Sequence, residues 1–518
     1  MRPQTENVSL KSSTLLRCLA CIGLFAVNPG GVILASTDTA ERPNILIAIT
    51  DDHSWKHTSL QGSPFIDTPN IDRIGESGLR FDNAYSGSPG CSPSRAALLT
   101  GQHHWMIGPA GTHGSSFPVH YESFVDVLEN AGYRVGFTGK GWAPGDWLRG
   151  GRTRNPAGDE YNEVKLQGNR VTGLSDIDYA GNFEQFMADR KNGGPFYFWV
   201  GAHEPHLRYA EGPRSEEELA EVVVPAFMPD TAASRSMLLD YADEIEHFDR
   251  HLGRILETLE KAGELDNTLI IFTADNGMPM ARAKATGYDY GVHVPLFIRW
   301  DERGRKGQVI DGPAGFTDLS ATMLDAAGLP VPDHSVGQSL LPWILGEEKD
   351  LDYQRAVYSG RERHSSSRYR NLAYPQRIMR RGDYLLIWSA KPDRYPAGAP
   401  RRIDKGVLTP PHSAYHDIDD SVNKRELLAG RDDPYIGPFF RLAVDKQPEW
   451  QFFNVRSDPD CLDDLATDPE HAERFAEYKR QLLTTLKETG DPRALGYGDV
   501  WEDYPRLRGP MRYFPEPD

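Results

Sequence analysis

Cysteine is scarce: the 518 residues contain 4, and two of these, Cys18 and Cys21, fall in the N-terminal segment. Only Cys91 and Cys461 remain beyond it, which excludes a disulfide-stapled scaffold. After the N-terminal segment no apolar run reaches the length of about 18 residues that a membrane helix needs, so no span is expected in the mature protein. Positive charge is also in deficit. Lys and Arg number 57 against 75 Asp and Glu, for a formal net charge of -18. Nucleic acid and anionic membranes require a basic field and are excluded as nonspecific partners. An enzyme of anionic substrates would have to gather Lys, Arg and His locally against this background. Internal repeats and long low-complexity runs are absent, although 361–370 and 392–411 read as irregular loops.

What is present begins with an export signal over residues 1–36. Lys11 and Arg17 precede the apolar stretch Cys18 to Val27, Pro29-Gly30-Gly31 breaks it, and Ala35 and Ser36 offer a cleavage point. A secreted or periplasmic protein is expected. The length favours two domains, and the pattern places a larger one at 42–345 and a smaller α+β domain at 351–518. In the larger, Asn44 to Thr50 has the continuous hydrophobicity of a strand buried on both faces and ends in Asp51-Asp52. Tyr133 to Thr138 likewise ends before Gly139-Lys140, Phe196 to Val200 precedes His203, and Leu269 to Thr273 precedes Asp275-Asn276. Between them Leu238, Ile245, Phe248, Leu252, Ile255, Leu256 and Leu259 make one helical stripe, and another helix is expected at 319–327. This alternation predicts an α/β fold with a mainly parallel sheet flanked by helices, which binds ligands beyond the carboxyl ends of its strands. In the smaller domain a hairpin is expected over 378–388, a strand at 451–455 and an amphipathic helix at 472–487.

Asp51-Asp52 at one strand end and Asp275-Asn276 at another carry too much negative charge to lie together without a cation. Oxygen donors of this kind suit calcium or magnesium rather than zinc; either pair alone would serve equally well as a helix cap or turn. Cys91 opens a predicted helix with Arg95 one turn later, an arrangement that by itself describes a lowered-pKa thiol beside an anion site.

The stretch Cys91-Ser92-Pro93-Ser94-Arg95-Ala96-Ala97-Leu98-Leu99-Thr100-Gly101 resembles the signature of type I sulfatases, whose cysteine is oxidised to formylglycine. The resemblance extends to Arg42-Pro43-Asn44, Asp51-Asp52, Thr68 through Asp72 and Asp318 through Leu341. It implies an alkaline-phosphatase-like fold and a maturation enzyme, either formylglycine-generating or anaerobic. It also implies calcium held by Asp51, Asp52, Asp275, Asn276 and the modified Cys91, with Arg95 holding the aldehyde hydrate. Lys140 would contact both formylglycine and sulfate, His203 would stand at the leaving-group side, and Lys284 would be a second sulfate-binding lysine. Arg282 adds to this basic pocket, the local cation cluster that the acidic composition demands. Family members usually carry a histidine two residues after the lysine matched to Lys140, as the base for sulfate release. Trp142 stands there instead, and His113 or His206 are candidates to fill in.

The ending, from Trp450 to Val455, through Ser457-Asp458-Pro459, to Glu488 through Pro492, is similar to that of heparan N-sulfatases and their bacterial relatives. A sulfated sugar substrate, cleaved at an ester or N-sulfate, is therefore expected. Arg361, Glu362 and His364, in the run Gly360 to His364, are candidates to reach over the pocket rim and bind it. Two other readings stand beside this one: a phosphonate or phosphate-ester hydrolase of the same superfamily, and a catalytically dead sulfated-glycan-binding protein, which Trp142 favours.

Overall fold

The computed structural model describes residues 42–168, 173–190 and 193–517. The expected export signal, residues 1–36, lies outside the described residues. The larger sheet is built from β1 (Asn44–Thr50), β2 (Leu79–Tyr85), β3 (Arg134–Gly139), β4 (Asp159–Glu160), β5 (Phe196–Gly201), β6 (Thr268–Ala274), β7 (His293–Arg299), β8 (Gln308–Ile310) and β9 (Ala314–Gly315). Its order is β4-β3-β5-β1-β6-β7-β2-β8, with β9 also on β2. Only β7 runs against its neighbours, so the sheet is mainly parallel, as expected.

Alternate residues of β1 explain the placement of this strand at the centre. Ile45, Ile47 and Ile49 enter one core and Leu46 and Ala48 the other, all without solvent exposure. The 31-residue helix Ala232–Ala262 covers the second face through Leu238, Ile245, Phe248, Leu252 and Leu259. Each such buried side chain contributes about 1.5–3 kcal/mol of burial. The helix Phe316–Ala326 packs on the first face. Among the described residues no helix is long and apolar enough to cross a membrane.

A second, antiparallel sheet joins β10 (Ala356–Arg361), β11 (Gln376–Arg381) and β12 (Tyr384–Ser389). Between β12 and its last strand lies a small ribbon, β13 (Ile403–Asp404) with β14 (Val407–Leu408); β15 (Trp450–Asn454) completes the order β10-β11-β12-β15. The helix Ala472–Glu488 packs on it through Tyr478, Leu482 and Leu486. The two expected loops are irregular over most of their length, with two exceptions. Arg361 is the last residue of β10, paired with Gln376, and 392–411 contains the β13–β14 ribbon. The polar sequence of β10, Ala-Val-Tyr-Ser-Gly-Arg, hides a strand whose neighbours cover both faces.

Candidate active site

Four adjacent strands, β3, β5, β1 and β6, end at one rim. Asp51 and Asp52 follow β1, Lys140 follows β3, His203 lies just past β5, and Asp275 and Asn276 follow β6. The backbone holds these ends in register: Asp275 N donates to Thr50 O at 3.0 Å, Asp51 N to Glu204 O at 2.9 Å, and Lys140 N to Gly201 O at 2.7 Å. Gly139, at φ +72°, is required for this approach, because a Cβ there would lie 1.9 Å from Gly201 O.

Asp51, Asp52, Asp275 and Cys91 each bring one donor atom within 4.8 Å of the others, all buried. The Cys91 Sγ lies 3.3 Å from Asp51 Oδ1 and 4.0 Å from Asp52 Oδ1. Asn276 Nδ2 donates to Asp52 Oδ1 at 2.8 Å, whereas its Oδ1 is buried without any hydrogen-bond partner. Burial, and then the charge on Asp51, push Asp275 up to about 6. At Asp51 burial is outweighed by Lys140, His206, Arg95 and Lys284, which hold its carboxyl well below the usual range. A buried group rich in oxygen donors, with one orphaned amide oxygen, fits a hard divalent cation. No histidine belongs to this four-residue group, as zinc would favour.

Cys91 opens the helix Cys91–Thr100, every residue of which is buried. The thiol is not activated by that position. Burial, followed by the charge of Asp51, pushes its pKa well above the ordinary value, so the lowered-pKa thiol suggested by the helix start is corrected. Arg95, completely buried, donates from Nε to Asp275 Oδ2 at 2.7 Å and from Nη1 to Lys140 O at 2.6 Å, leaving Nη2 without a partner. Lys140 Nζ reaches Asp51 Oδ2 at 2.5 Å and Lys284 Nζ reaches Asp52 Oδ2 at 2.6 Å. Lys284 also pairs with Asp419 at 3.2 Å. Burial opposes the charge on both lysines, but the carboxylates prevail and raise both pKa values. The cations needed against the acidic composition are thus gathered around one cluster.

Asp51, Cys91, Lys140 and Lys284 line a cavity of about 530 Å³, together with His203, His206, His113 and His364. His203 is exposed at its mouth, and close surroundings followed by Lys140 draw its pKa below the ordinary value. His206 places Nε2 3.8 Å from Asp52 and Nδ1 2.7 Å from Leu207 O. His113 and His364 lie with ring centroids 4.6 Å apart. Burial followed by His364 lowers the His113 pKa well below the ordinary value, and the His113 Nδ1 is buried with no partner. Trp142 is fully buried and outside the cavity lining; its Nε1 donates to Ser92 O at 2.9 Å and its ring meets Phe117 edge-on. It buttresses the turn carrying Cys91.

Three expected substrate contacts are turned away from this cavity. Glu362 is buried between Arg377, at 2.8 Å, and Arg493, at 2.7 Å. Arg361 donates to Asp417 at 3.0 Å and to Pro396 O at 3.2 Å. Arg282 stacks on Tyr288 at 3.8 Å and donates to Cys461 O. Of the run from 360 to 364, only His364 lines the cavity. Conversely, Asp419, His416, Arg506 and Arg512 line it without having been singled out from sequence. They come from irregular segments where no periodicity marks an inward side; the Asp-Ile-Asp-Asp run at 417–420 was the one available signal.

Residues 43–329 match the family model described as Sulfatase. The human N-sulphoglucosamine sulphohydrolase is 27% identical over 504 residues, covering 89% of this chain and 93% of that protein. A solved enzyme in complex with its substrate D-glucosamine-2-N,6-O-disulfate shares the fold, with a TM-score of 0.62 and 20% identity over 88% of this chain and 99% of that one. A phosphonate monoester hydrolase from Silicibacter pomeroyi shares it too, with a TM-score of 0.59 and 18% identity over 87% of this chain and 96% of that one. As the family match extends over more than half of its length, the chain belongs to the sulfatase family and is a hydrolase of that class.

Proposed function

We propose that this sulfatase acts outside the cytoplasm on a sulfated sugar, cleaving an ester sulfate or N-sulfate with Cys91 matured to formylglycine. The observation that carries the reading is the contact of Cys91 Sγ with Asp51 inside the carboxylate cluster, with Lys140 and Lys284 closing on the same carboxylates. The relation to N-sulphoglucosamine sulphohydrolase over nearly the full chain supports a sugar as the carrier of the sulfate.

When present, formylglycine supplies the nucleophilic oxygen and calcium supplies Lewis acidity. Asp51, Asp52, Asp275 and Asn276 would hold the cation. Lys140 and Lys284, which line the cavity, would neutralise the charge of the sulfate and the charge that develops as it transfers, while the buried Arg95 holds Asp275 in place. His203, at the cavity mouth, would protonate the departing sugar oxygen or nitrogen. His206 is the better proton acceptor of the two candidates for release: its Nδ1–H donates to Leu207 O, which leaves Nε2 as the accepting nitrogen, whereas burial makes His113 a weaker base than usual. Replacing His206 by Ala is expected to lower kcat by about 10²-fold or more with little change in KM. An unchanged kcat in steady-state assays would remove His206 from this role.

Metal binding has a readout independent of turnover. A ligand that binds only the folded state adds about 2.7 kcal/mol at 100 times its Kd, so calcium should raise the Tm of the wild type. Asp275→Asn and Asp51→Asn should lose both that rise and activity, and zinc should not replace calcium. A calcium-dependent Tm in both variants equal to that of the wild type would show that the cation lies elsewhere.

The shared fold of a phosphonate monoester hydrolase favours one second reading, hydrolysis of a phosphonate or phosphate ester. Matured protein assayed in parallel on 4-methylumbelliferyl sulfate, an aryl phosphonate monoester and N-sulfoglucosamine separates the two. Turnover confined to the phosphorus ester would overturn the sulfatase assignment for this site.

A further inference from the structure

The cavity is closed in part by the C-terminal segment 504–513, which contributes Arg506 and Arg512 to its lining. The segment is anchored on two sides. Leu507 N and Arg508 N donate to Gly114 O at 2.7 and 3.1 Å, and Arg512 N donates to Ser366 Oγ at 2.9 Å. Arg506 Nη1 donates to His364 O at 3.1 Å, yet its Nε is buried with no partner. Arg512 Nη1 makes a long bond of 3.3 Å to Ser366 O.

Among the described residues neither guanidinium pairs with a carboxylate. Asp417 and Asp419, whose charges reach them, are committed elsewhere: Asp417 to Arg361 at 3.0 Å and Arg368 at 2.9 Å, Asp419 to Lys284 at 3.2 Å. Burial draws the pKa of both arginines down, and Arg512 adds to the effect at Arg506. The neighbouring His416 is held at about 3 by burial and then by Arg512. This wall therefore carries two partly exposed cations with no carboxylate paired to them, open to an anionic ligand.

On the sulfatase reading the sulfate to be cleaved is met by Lys140 and Lys284, both of which line the cavity. A cavity of about 530 Å³ also has room for a whole sugar ring with its substituents. We propose that Arg506 and Arg512 form a second anion subsite, which binds a further sulfate or carboxylate on the same substrate molecule. The inference rests on the sulfatase reading of the cavity and narrows it to polyanionic sugars.

Calorimetric titration of the Cys91→Ala protein at fixed ionic strength tests it. Three probes are compared: glucosamine 2-N-sulfate, glucosamine 2-N,6-O-disulfate, and a disaccharide of N-sulfoglucosamine linked to glucuronate. At least one added anion should tighten Kd by tenfold or more, about 1.4 kcal/mol, and the probe that does so identifies the group as sulfate or carboxylate. Arg506→Gln and Arg512→Gln should cut that gain to less than threefold. Arg512→Lys, which keeps the charge, should retain most of it, a rescue that mere loosening of the segment does not predict. Arg431→Gln, on an exposed arginine, serves as the control and should leave it intact. No gain for either polyanionic probe, or a gain that survives both Gln substitutions, overturns the subsite. Sulfate release from 4-methylumbelliferyl sulfate by matured wild type keeps the outcomes apart: turnover without the gain removes only the subsite, whereas absence of turnover removes the sulfatase reading itself.

Discussion

Replacing Cys91 by Ala is expected to abolish turnover while leaving the fold in place. Loss of a covalent nucleophile costs several orders of magnitude, on the order of 10⁶-fold in kcat for a well-studied hydrolase, because no other group occupies its position. Here the neighbouring candidates are no substitutes. Asp51 and Asp52 are engaged by Lys140 and Lys284, and the hydroxyl of Ser92 accepts from Gly114 N at 3.3 Å. Structurally the substitution is mild. Cys91 donates to Asp51, which keeps Lys140 as partner, so the Tm should stay within a few degrees of the wild type. Protein expressed without a maturation system should behave in the same way, since a buried thiol with a raised pKa is a poor nucleophile. Mass analysis of the Cys91 peptide, paired with the assay, decides the point. Activity in protein whose Cys91 is wholly unmodified would refute the formylglycine mechanism, and complete modification without turnover on any ester would favour a binding protein.

The catalytic half of the fold was legible because a parallel sheet leaves a one-dimensional trace. Strands buried on both faces are continuous apolar runs, and each run here stops abruptly where it leaves the core: Thr50 before Asp51, Ala274 before Asp275. Polar residues at such stops lie on one rim wherever the strands are neighbours, which is the position of β3, β5, β1 and β6. What escaped the sequence is what long-range pairing decides. The run from Arg361 to Arg363 has the composition of a solvated loop, yet all three are buried, because Asp417, Arg377 and Arg493 arrive from elsewhere in the chain to neutralise or bond the first two. The same reasoning covers Arg506 and Arg512. Their place at the cavity depends on bonds from Leu507, Arg508 and Arg512 to Gly114 and Ser366, and nothing local in 504–513 announces them. Trp142, at which the sequence offered no base, is accounted for by packing. Its neighbours Phe117 and Ser92 give it a packing role beside Cys91.

Glu362→Ala is expected to destabilise the whole protein rather than to weaken glycan binding alone. The carboxylate is buried and serves two arginines at once. Arg377 Nη2 donates to Oε1 at 2.8 Å, and Arg493 Nη2 donates to Oε2 at 2.7 Å. Arg377 keeps Asp491, at 2.8 and 2.9 Å, and Arg493 keeps Glu502 at 3.1 Å, but each loses part of the charge that compensates it in a buried site. Removing one partner from a buried ion-pair network costs about 3–5 kcal/mol, chiefly because the remaining charge is left uncompensated. The Tm should therefore drop by several degrees or more, and Glu362→Gln, which retains hydrogen-bonding capacity without the charge, should fall between Ala and wild type. Activity should report the same cause. Glu362 stands two residues before His364, whose ring lines the cavity, and Tyr374 N donates to Glu362 O at 3.3 Å. Disturbing this turn should lower turnover of an aryl sulfate and of a sulfated sugar by similar factors. A surface loop that touched only the sugar would give the opposite pattern, an unchanged Tm with selective loss on the glycan, and that result in paired melting and kinetic assays would show that Glu362 leaves its buried position to reach the substrate.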